Sequence, residues 1–305
     1  MVDIGSVTGA AEVLHLVQPA VTRHIRALER ELGVELFERS RRGMTPTEAG
    51  RSVAERARRA LAELERARVE VSPEPGQLSG LVRVGLLEST AEVLAESLTR
   101  AVAERHPGIR LTILSAYSGH LQQWLDDGDL DVTLLYNVEN APTLHVRPLV
   151  REAVWAAAAP SAGLSPDLPV SIAEVARHPL VAPSSGHGLR ALIDAAMARA
   201  GVEITPVLET DSAQIQRHLA RAGIGWTVLP AVAVATQIRA GILSGAPLAE
   251  PAIHRDLLLA LPRSGRTPAA VGAVAHELVS AVDDAIRSGA WPSARLLGAH
   301  ANGSS

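Results

Sequence analysis

The chain has 305 residues, 47% hydrophobic and only 2% aromatic, with a formal net charge of −4 and no cysteine. The missing thiol excludes disulfides, thiolate metal sites and cysteine nucleophiles, and it fits a cytoplasmic protein. No basic n-region with an apolar stretch behind it opens the chain. No apolar run reaches the ~18 residues of a membrane span, so the sequence predicts a soluble protein with no membrane partner.

From the start, Ser6 to Leu16 reads as a short helix, with Ser6 as N-cap and Ala10, Ala11, Val13 and Leu14 available for packing. Gln18-Pro19 opens a second helix, where proline's preset φ suits the first turn and its missing N–H is no loss. Val21, Ile25, Leu28 and Leu32 recur at helical spacing and predict a packed stripe. Thr22, Arg23, His24, Arg26 and Arg30 stand between them, Gly33 ends the helix, and Arg39, Arg41 and Arg42 cluster before Gly43. Two short helices, the second basic on its open side, predict a helix-turn-helix. Arginine outnumbers carboxylate between Arg23 and Arg59, while the rest of the chain carries the compensating acid. A basic head on an acidic body confines nucleic-acid contact to one end.

Thr47 to Val71 is proline-free and rich in Ala, Glu and Arg, predicting one long helix. Ala54, Ala57, Leu61, Leu64 and Val71 form a seam at three- and four-residue steps, while Glu55–Arg59 and Arg59–Glu63 are four-residue charge pairs. The helix is either solvated or a dimer linker, and Ser72-Pro73-Glu74-Pro75-Gly76 breaks it as a hinge. Strands at Leu81–Leu87, Arg110–Leu114 and Asp131–Tyr136 alternate with helices at Ala91–Arg105 and Gly119–Asp126, a βαβαβ run. A second set follows: strands Val154–Ala159, Leu180–Ala182, Pro206–Glu209 and Gly225–Leu229, with helices Leu189–Ala200 and Ser212–Ala222. A return strand Asp256–Leu261 and a final helix Pro268–Arg287 complete the body. Crossovers near Leu149–Glu152 and Ile253–Arg255 would leave a cleft between two α/β halves. The tail, 291–305, is small and polar and predicts disorder.

The string GSVTGAAEVLHLVQPAVTRHIRALERELGVELFERSRRGMTPTEAG resembles the N-terminal module of LysR-type transcriptional regulators. GLVRVGLLESTA, HPGIRLTILSAYSGHLQQWLDDGDLDVTLLY and ETDSAQIQRHLARAGIGWTVLP resemble their effector-binding domain, nearest the branch of nitrogen-assimilation and cysteine-biosynthesis regulators. The resemblance runs over residues 5–290. It implies an α/β multi-domain chain: a winged helix-turn-helix head at 1–50, and a linker or dimerisation helix with its hinge at 51–75. A two-lobed, periplasmic-binding-protein-like effector domain follows at 80–290, with lobe I at 80–150 and 253–290 and lobe II at 151–252. It further implies a regulator that binds promoter DNA as a homodimer or homotetramer, senses a small molecule, and acts on RNA polymerase. Two departures stand out. Family members carry about a dozen more residues before the glycine-serine, forming a first helix that covers the back of the recognition helix; the expectation is a late start, or a head without that helix in which Val21, Ile25 and Leu28 are exposed. Val17 stands where the family often has serine. The alternative reading is therefore a sensor that no longer grips DNA.

For DNA, Gln18 can pair with adenine, Thr22 can touch a thymine methyl or phosphate, and Arg23 and Arg26 can reach phosphate or guanine. Pro19 and His24 share that surface, and Arg39, Arg41 and Arg42 belong to the wing. Ligand candidates are polar residues at strand-to-helix junctions, where free N–H groups attract anions: Ser89 and Thr90, Ser118, Tyr136, Ser184 and Ser185, Arg190, Thr210 and Asp211. By resemblance, inducer pockets use hydroxyls at Ser89 or Thr90, Ser118 and the Ser184 loop. The plain alternative for each is helix capping. Glu88 beside them would repel a carboxylate, so it either lies outside the pocket or favours a cationic or neutral effector. Gly223-Ile224-Gly225 leads from helix to strand, the reverse of a dinucleotide fingerprint, and leaves Trp226 to the core or a pocket wall. No paired-histidine zinc motif, nucleophile elbow or phosphate loop occurs, and the acids of LDDGDLD read as a solvated turn, so no catalytic residue, metal or cofactor is expected.

Overall fold

The computed structural model describes residues 1–2, 4–40, 43–70, 78–138, 141–263 and 267–297. They divide into two compact units, Met1–Pro73 and Glu74–Ser305.

In the first unit, α1 (Val7–Val13) starts at Ser6, whose hydroxyl accepts from the Gly9 N–H at 3.1 Å, the N-cap bond its sequence predicts. Helix α2 (Gln18–Leu32) carries Pro19 in its first turn and stops at Gly33, whose φ of +70° a side chain would resist. Strands β1 (Phe37–Ser40) and β2 (Gly43–Pro46) form an antiparallel hairpin, and α3 (Glu48–Glu70) runs for 23 residues. Ala10, Ala11 and Val21 form the core, with Met1, Val7 and Ile25 against it. The predicted stripe on α2 is thus only half packed: Leu28 and Leu32 remain 39% and 44% exposed, because the seven-residue α1 reaches no further than Ile25. On α3, Leu61 and Leu64 are exposed. Val71 and the Ser72–Gly76 hinge lie outside the described residues, as do the side chains of Arg59 and Glu63.

The second unit is built on mixed sheets flanked by helices. Strand β3 (Ser79–Leu87), helix α4 (Glu88–Arg105), β4 (Gly108–Ala116), α5 (Ser118–Asp126) and β5 (Val132–Tyr136) make the expected βαβαβ run, with β4, β3 and β5 parallel. Strand β6 (Leu144–Ala158) is 15 residues long and joins the two lobes. Then come β7 (Val170–Ser171), α6 (Ile172–Val175), β8 (Leu180–Ala182), α7 (Gly188–Arg199), β9 (Leu208–Glu209), α8 (Ala213–Arg221) and β10 (Trp226–Pro230). Helix α9 (Ala231–Arg239), β11 (Ser244–Ala249), β12 (His254–Pro262), α10 (Ala269–Arg287) and β13 (Ala294–Leu296) finish the chain. Residues Leu144 to Ala153 of β6 pair with β12, whereas Val154 to Ala158 pair with β10 and β11. One strand therefore serves two sheets and two hydrophobic cores, one around Leu86, Leu134 and Val274 and the other around Val154, Ile193 and Val228.

Several expectations needed correcting. Helix α4 begins at Glu88, so Glu88, Ser89 and Thr90 form its first turn and not a preceding loop. The first half of β6, α9 and β11 were not anticipated, since alanine-rich and proline-containing stretches carry little periodicity. The tail is ordered as far as β13, because Trp291 is 1% exposed and β13 pairs with β6. Residues 298–305 lie outside the described set.

Candidate DNA interface and effector cleft

Burying Val21 and half-burying Ile25 turns the other side of α2 outward. Gln18, Pro19, Arg23, His24 and Arg26 are exposed, and Thr22 is half-buried with its hydroxyl donating to the Gln18 carbonyl at 3.2 Å. Gln18, Pro19, Thr22, Arg23, Arg26 and Arg30 line an open groove of about 800 Å³ that continues to Val34 and Glu35; His24 stands outside it. Arg39 lies on β1, while its side chain and the whole of Arg41 and Arg42 fall outside the described residues.

The hairpin is tied to α2 by a residue the sequence reading passed over. Glu29 Oε1 accepts from the Leu36 N–H at 2.9 Å and the Phe37 N–H at 3.3 Å. Thr47 secures the other root, donating its hydroxyl to the Glu35 carbonyl at 2.8 Å and accepting from the Gly50 N–H at 3.0 Å. Gly50 faces the Leu36 carbonyl so closely that no Cβ fits. A carboxylate accepting two backbone N–H groups is a charge-assisted clamp, and it fixes where the hairpin leaves the helix.

In the second unit, the candidate ligand residues divide by what already occupies them. Thr90 is fully buried, and its hydroxyl donates to the Leu87 carbonyl at 3.0 Å. Arg190 is committed to Asp194 at 2.8 Å, Glu209 at 2.6 Å and the Pro183 carbonyl at 3.0 Å. Both act within their own lobe. Thr210 accepts from the Ser212 N–H at 3.4 Å, and its carbonyl accepts from Gln216 at 2.8 Å. Ser118 is buried at the start of α5, donating to the Tyr136 carbonyl at 2.9 Å and accepting from the Tyr136 N–H at 3.0 Å. Ser184 donates from both its N–H (3.0 Å) and its hydroxyl (2.6 Å) to Oδ1 of Asp211, and Ser185 is exposed beside it.

The groups that join the lobes were mostly missed. Arg255, 3% exposed at its side chain, donates from Nε to buried Glu152 at 2.6 Å and from Nη2 to Ser89 at 2.7 Å, and lies 4.6 Å above the Tyr136 ring. Glu152 accepts on its other oxygen from the Trp291 indole at 2.8 Å. Burial pushes the Tyr136 hydroxyl above its usual range, against the pull of Arg255 and a bond from the Leu189 N–H on α7. Asn137 donates to the Gly188 carbonyl at 3.3 Å, and a Cβ on Gly188 would come within 3.0 Å of the Tyr136 ring. Ser212 donates to Glu88 at 3.2 Å, and Arg217 grips both oxygens of Glu92 at 2.9 and 3.1 Å. Tyr117, His120 and His187 gather at the same mouth, with Tyr117 centred 4.3 Å from His120 and 5.5 Å from His187. Burial lowers the His187 pKa, opposed by Asp211. Burial raises the Asp211 pKa, but the Ser184 bonds outweigh it and hold the carboxyl below the usual range. Both tyrosines of the chain are here, a signal available from composition alone. Trp226, by contrast, stacks on His178 at 3.9 Å, away from this mouth.

A helix-turn-helix with a hairpin, its basic helix face open, followed by two α/β lobes sharing one strand, is the arrangement of a ligand-responsive DNA-binding regulator. Residues 1–51 match the bacterial regulatory helix-turn-helix protein family of LysR type, and residues 75–283 match the LysR substrate binding domain. The chain is 32% identical to the HTH-type transcriptional regulator BbuR of Bordetella bronchiseptica, over 94% of this chain and 88% of that one. It is 29% identical to the nitrogen assimilation regulatory protein nac of Klebsiella aerogenes, over 92% of each. In fold it is similar to full-length CbnR crystallised with its target DNA, with a TM-score of 0.70 at 22% identity, over 92% of this chain and 95% of that one. The chain belongs to the LysR family of transcriptional regulators.

Proposed function

We propose that this regulator holds promoter DNA with the open face of α2, where Gln18 and Thr22 read bases and Arg23 and Arg26 neutralise phosphate, while the β1–β2 hairpin serves as the wing. The observation that carries this reading is the groove along Gln18, Thr22, Arg23 and Arg26, held in line with the hairpin by Glu29. The helix-turn-helix is present, so a sensor without a DNA-binding head is not favoured. A second copy covers Leu61 and Leu64 of α3, giving a homodimer or homotetramer. The small-molecule effector enters between the lobes at Ser89, Tyr136, Ser184 and Asp211, and its preference for one degree of lobe closure biases the spacing of the DNA heads. That spacing sets DNA bending and polymerase contact. Regulation works by binding and not by catalysis, and the protein acts in the cytoplasm; among the described residues no helix is long and apolar enough to cross a membrane.

The test is fluorescence anisotropy of the full chain on DNA from upstream of its own gene, comparing wild type with Arg23→Ala and with Asp211→Asn. Arg23→Ala should weaken binding, and Asp211→Asn should abolish the response to effector while leaving basal binding intact. DNA binding and response untouched by both substitutions would contradict the assignment.

A further inference from the structure

Two sets of bonds cross between the lobes of the second unit. At the end of β5, Asn137 donates to the Gly188 carbonyl at the start of α7. Between α4 of lobe I and α8 of lobe II the crossing is ionic. Glu88 and Glu92 stand about one turn apart on α4 and present both carboxylates along one side of the helix. Ser212, the N-cap of α8, donates to Glu88 at 3.2 Å, and Arg217 further along the same helix holds both oxygens of Glu92 at 2.9 and 3.1 Å.

Arg217 differs from an ordinary surface cation. Its side chain is 16% exposed, and Nη1 also donates to the Ala233 carbonyl at 2.7 Å. Ala233 lies in the first turn of α9, where Val232 packs into the core of lobe I while Ala231 and Ala233 pack into the core of lobe II. The guanidinium is therefore fixed at the seam of the two cores, whether or not Glu92 reaches it. A fork placed in advance loses little side-chain entropy on meeting a carboxylate and grips it with two N–H bonds. Glu96–Arg100 on the same α4 is the contrast: both side chains are exposed, both belong to one helix, and such a pair contributes little. A rotation of the lobes that carries α8 roughly 1 Å past α4 forfeits at least one of the two bonds to Glu92.

We propose that Glu92 and Arg217 form a latch that holds the lobes at this degree of closure when no effector is bound. Both act as positioning residues, through the angle between the lobes. The regulatory meaning of the latch rests on the reading that an effector biases lobe closure.

The chain has no cysteine, so one pair of nitroxide labels can be introduced by Ala103→Cys on α4 and Ala198→Cys on α7, both exposed. Dipolar spectroscopy of the full chain, without added ligand and diluted in unlabelled protein so that distances within one chain dominate, reads the separation of the lobes. The labelled parent should give one main distance. Glu92→Gln, which keeps the shape and removes the charge, and Arg217→Gln should raise the share of longer distances about fivefold. Glu96→Gln, the same change at the exposed pair, should leave the distribution as it was. Glu92 is exposed, so Glu92→Gln keeps its fold even if Arg217→Gln does not, and circular dichroism checks each variant. An unchanged distribution in Glu92→Gln, or equal widening in Glu96→Gln, overturns the latch. Fluorescence anisotropy of the same variants on DNA from upstream of the chain's own gene tests the regulatory reading separately. Longer distances in Glu92→Gln with unchanged DNA affinity leave the latch standing and remove lobe closure as the control on DNA binding.

Discussion

The two units of this protein solve opposite problems. The head buries Ala10, Ala11, Val21 and Leu36 and keeps its chemistry on the surface, as a row of side chains on one helix. The sensor has two large cores and buries part of its chemistry, linking Glu152 and Arg255, on the strands that join its lobes, to Ser89 in α4 and Trp291 beyond α10. The difference teaches where function resides in each. A surface row follows helical spacing and can be exchanged residue by residue, whereas a buried charge network acts as a unit and fails as one.

The largest expected effect tests that claim in the sensor. Arg255→Ala leaves Glu152 charged and buried with one partner lost, so thermal unfolding of the sensor unit should show a loss of about 3–5 kcal/mol. The double replacement Arg255→Met with Glu152→Leu should recover part of it, and equal losses in single and double variants would break the description of a coupled pair. In the head, Gly50→Ala forces a methyl against the Leu36 carbonyl and should cost about 1–3 kcal/mol, read as lost hydrogen-exchange protection confined to residues 1–70. Glu29→Ala removes the acceptor of two N–H groups; a loss of about 1–2 kcal/mol with weaker DNA binding is expected, and unchanged DNA affinity would show that the hairpin needs no clamp.

The smallest effect is in pH. His187 has a folded pKa below its unfolded value, so the unfolded chain takes the proton first. The contribution of His187 to stability is therefore fully present above about pH 6.5 and is lost as pH falls below it. Unfolding midpoints measured across that range should decline less steeply in His187→Gln than in wild type, and parallel profiles would remove His187 from the account.

Legibility followed the same division. The head could be read because its signals are local: Ser6 as a cap, Pro19 in a first turn, Gly33 as a stop, arginines at helical spacing. The βαβαβ run was legible for the same reason. Leu28 is exposed as expected, but Val21 is buried and Ile25 half-buried against α1, a tertiary contact that no local signal gives. The cleft was harder still. Ser89, Ser118, Ser184 and Asp211 stand at strand-to-helix junctions that periodicity locates. Arg255 and Glu152, however, meet across 103 positions of sequence on two antiparallel strands, and nothing local marks either as a partner. Glu88 is the residue whose doubtful position the structure clarifies, because it begins α4 and meets Ser212 from the other lobe.

DNA recognition is assigned to charge on the open face of α2. The most direct measurement is the salt dependence of binding to duplex DNA from upstream of the chain's own gene, for wild type and for Arg23→Ala with Arg26→Ala. The double variant should keep its stability within about 0.5 kcal/mol for each substitution and lower the slope of log affinity against log salt by about two. An unchanged slope and affinity in a folded double variant would contradict the assignment.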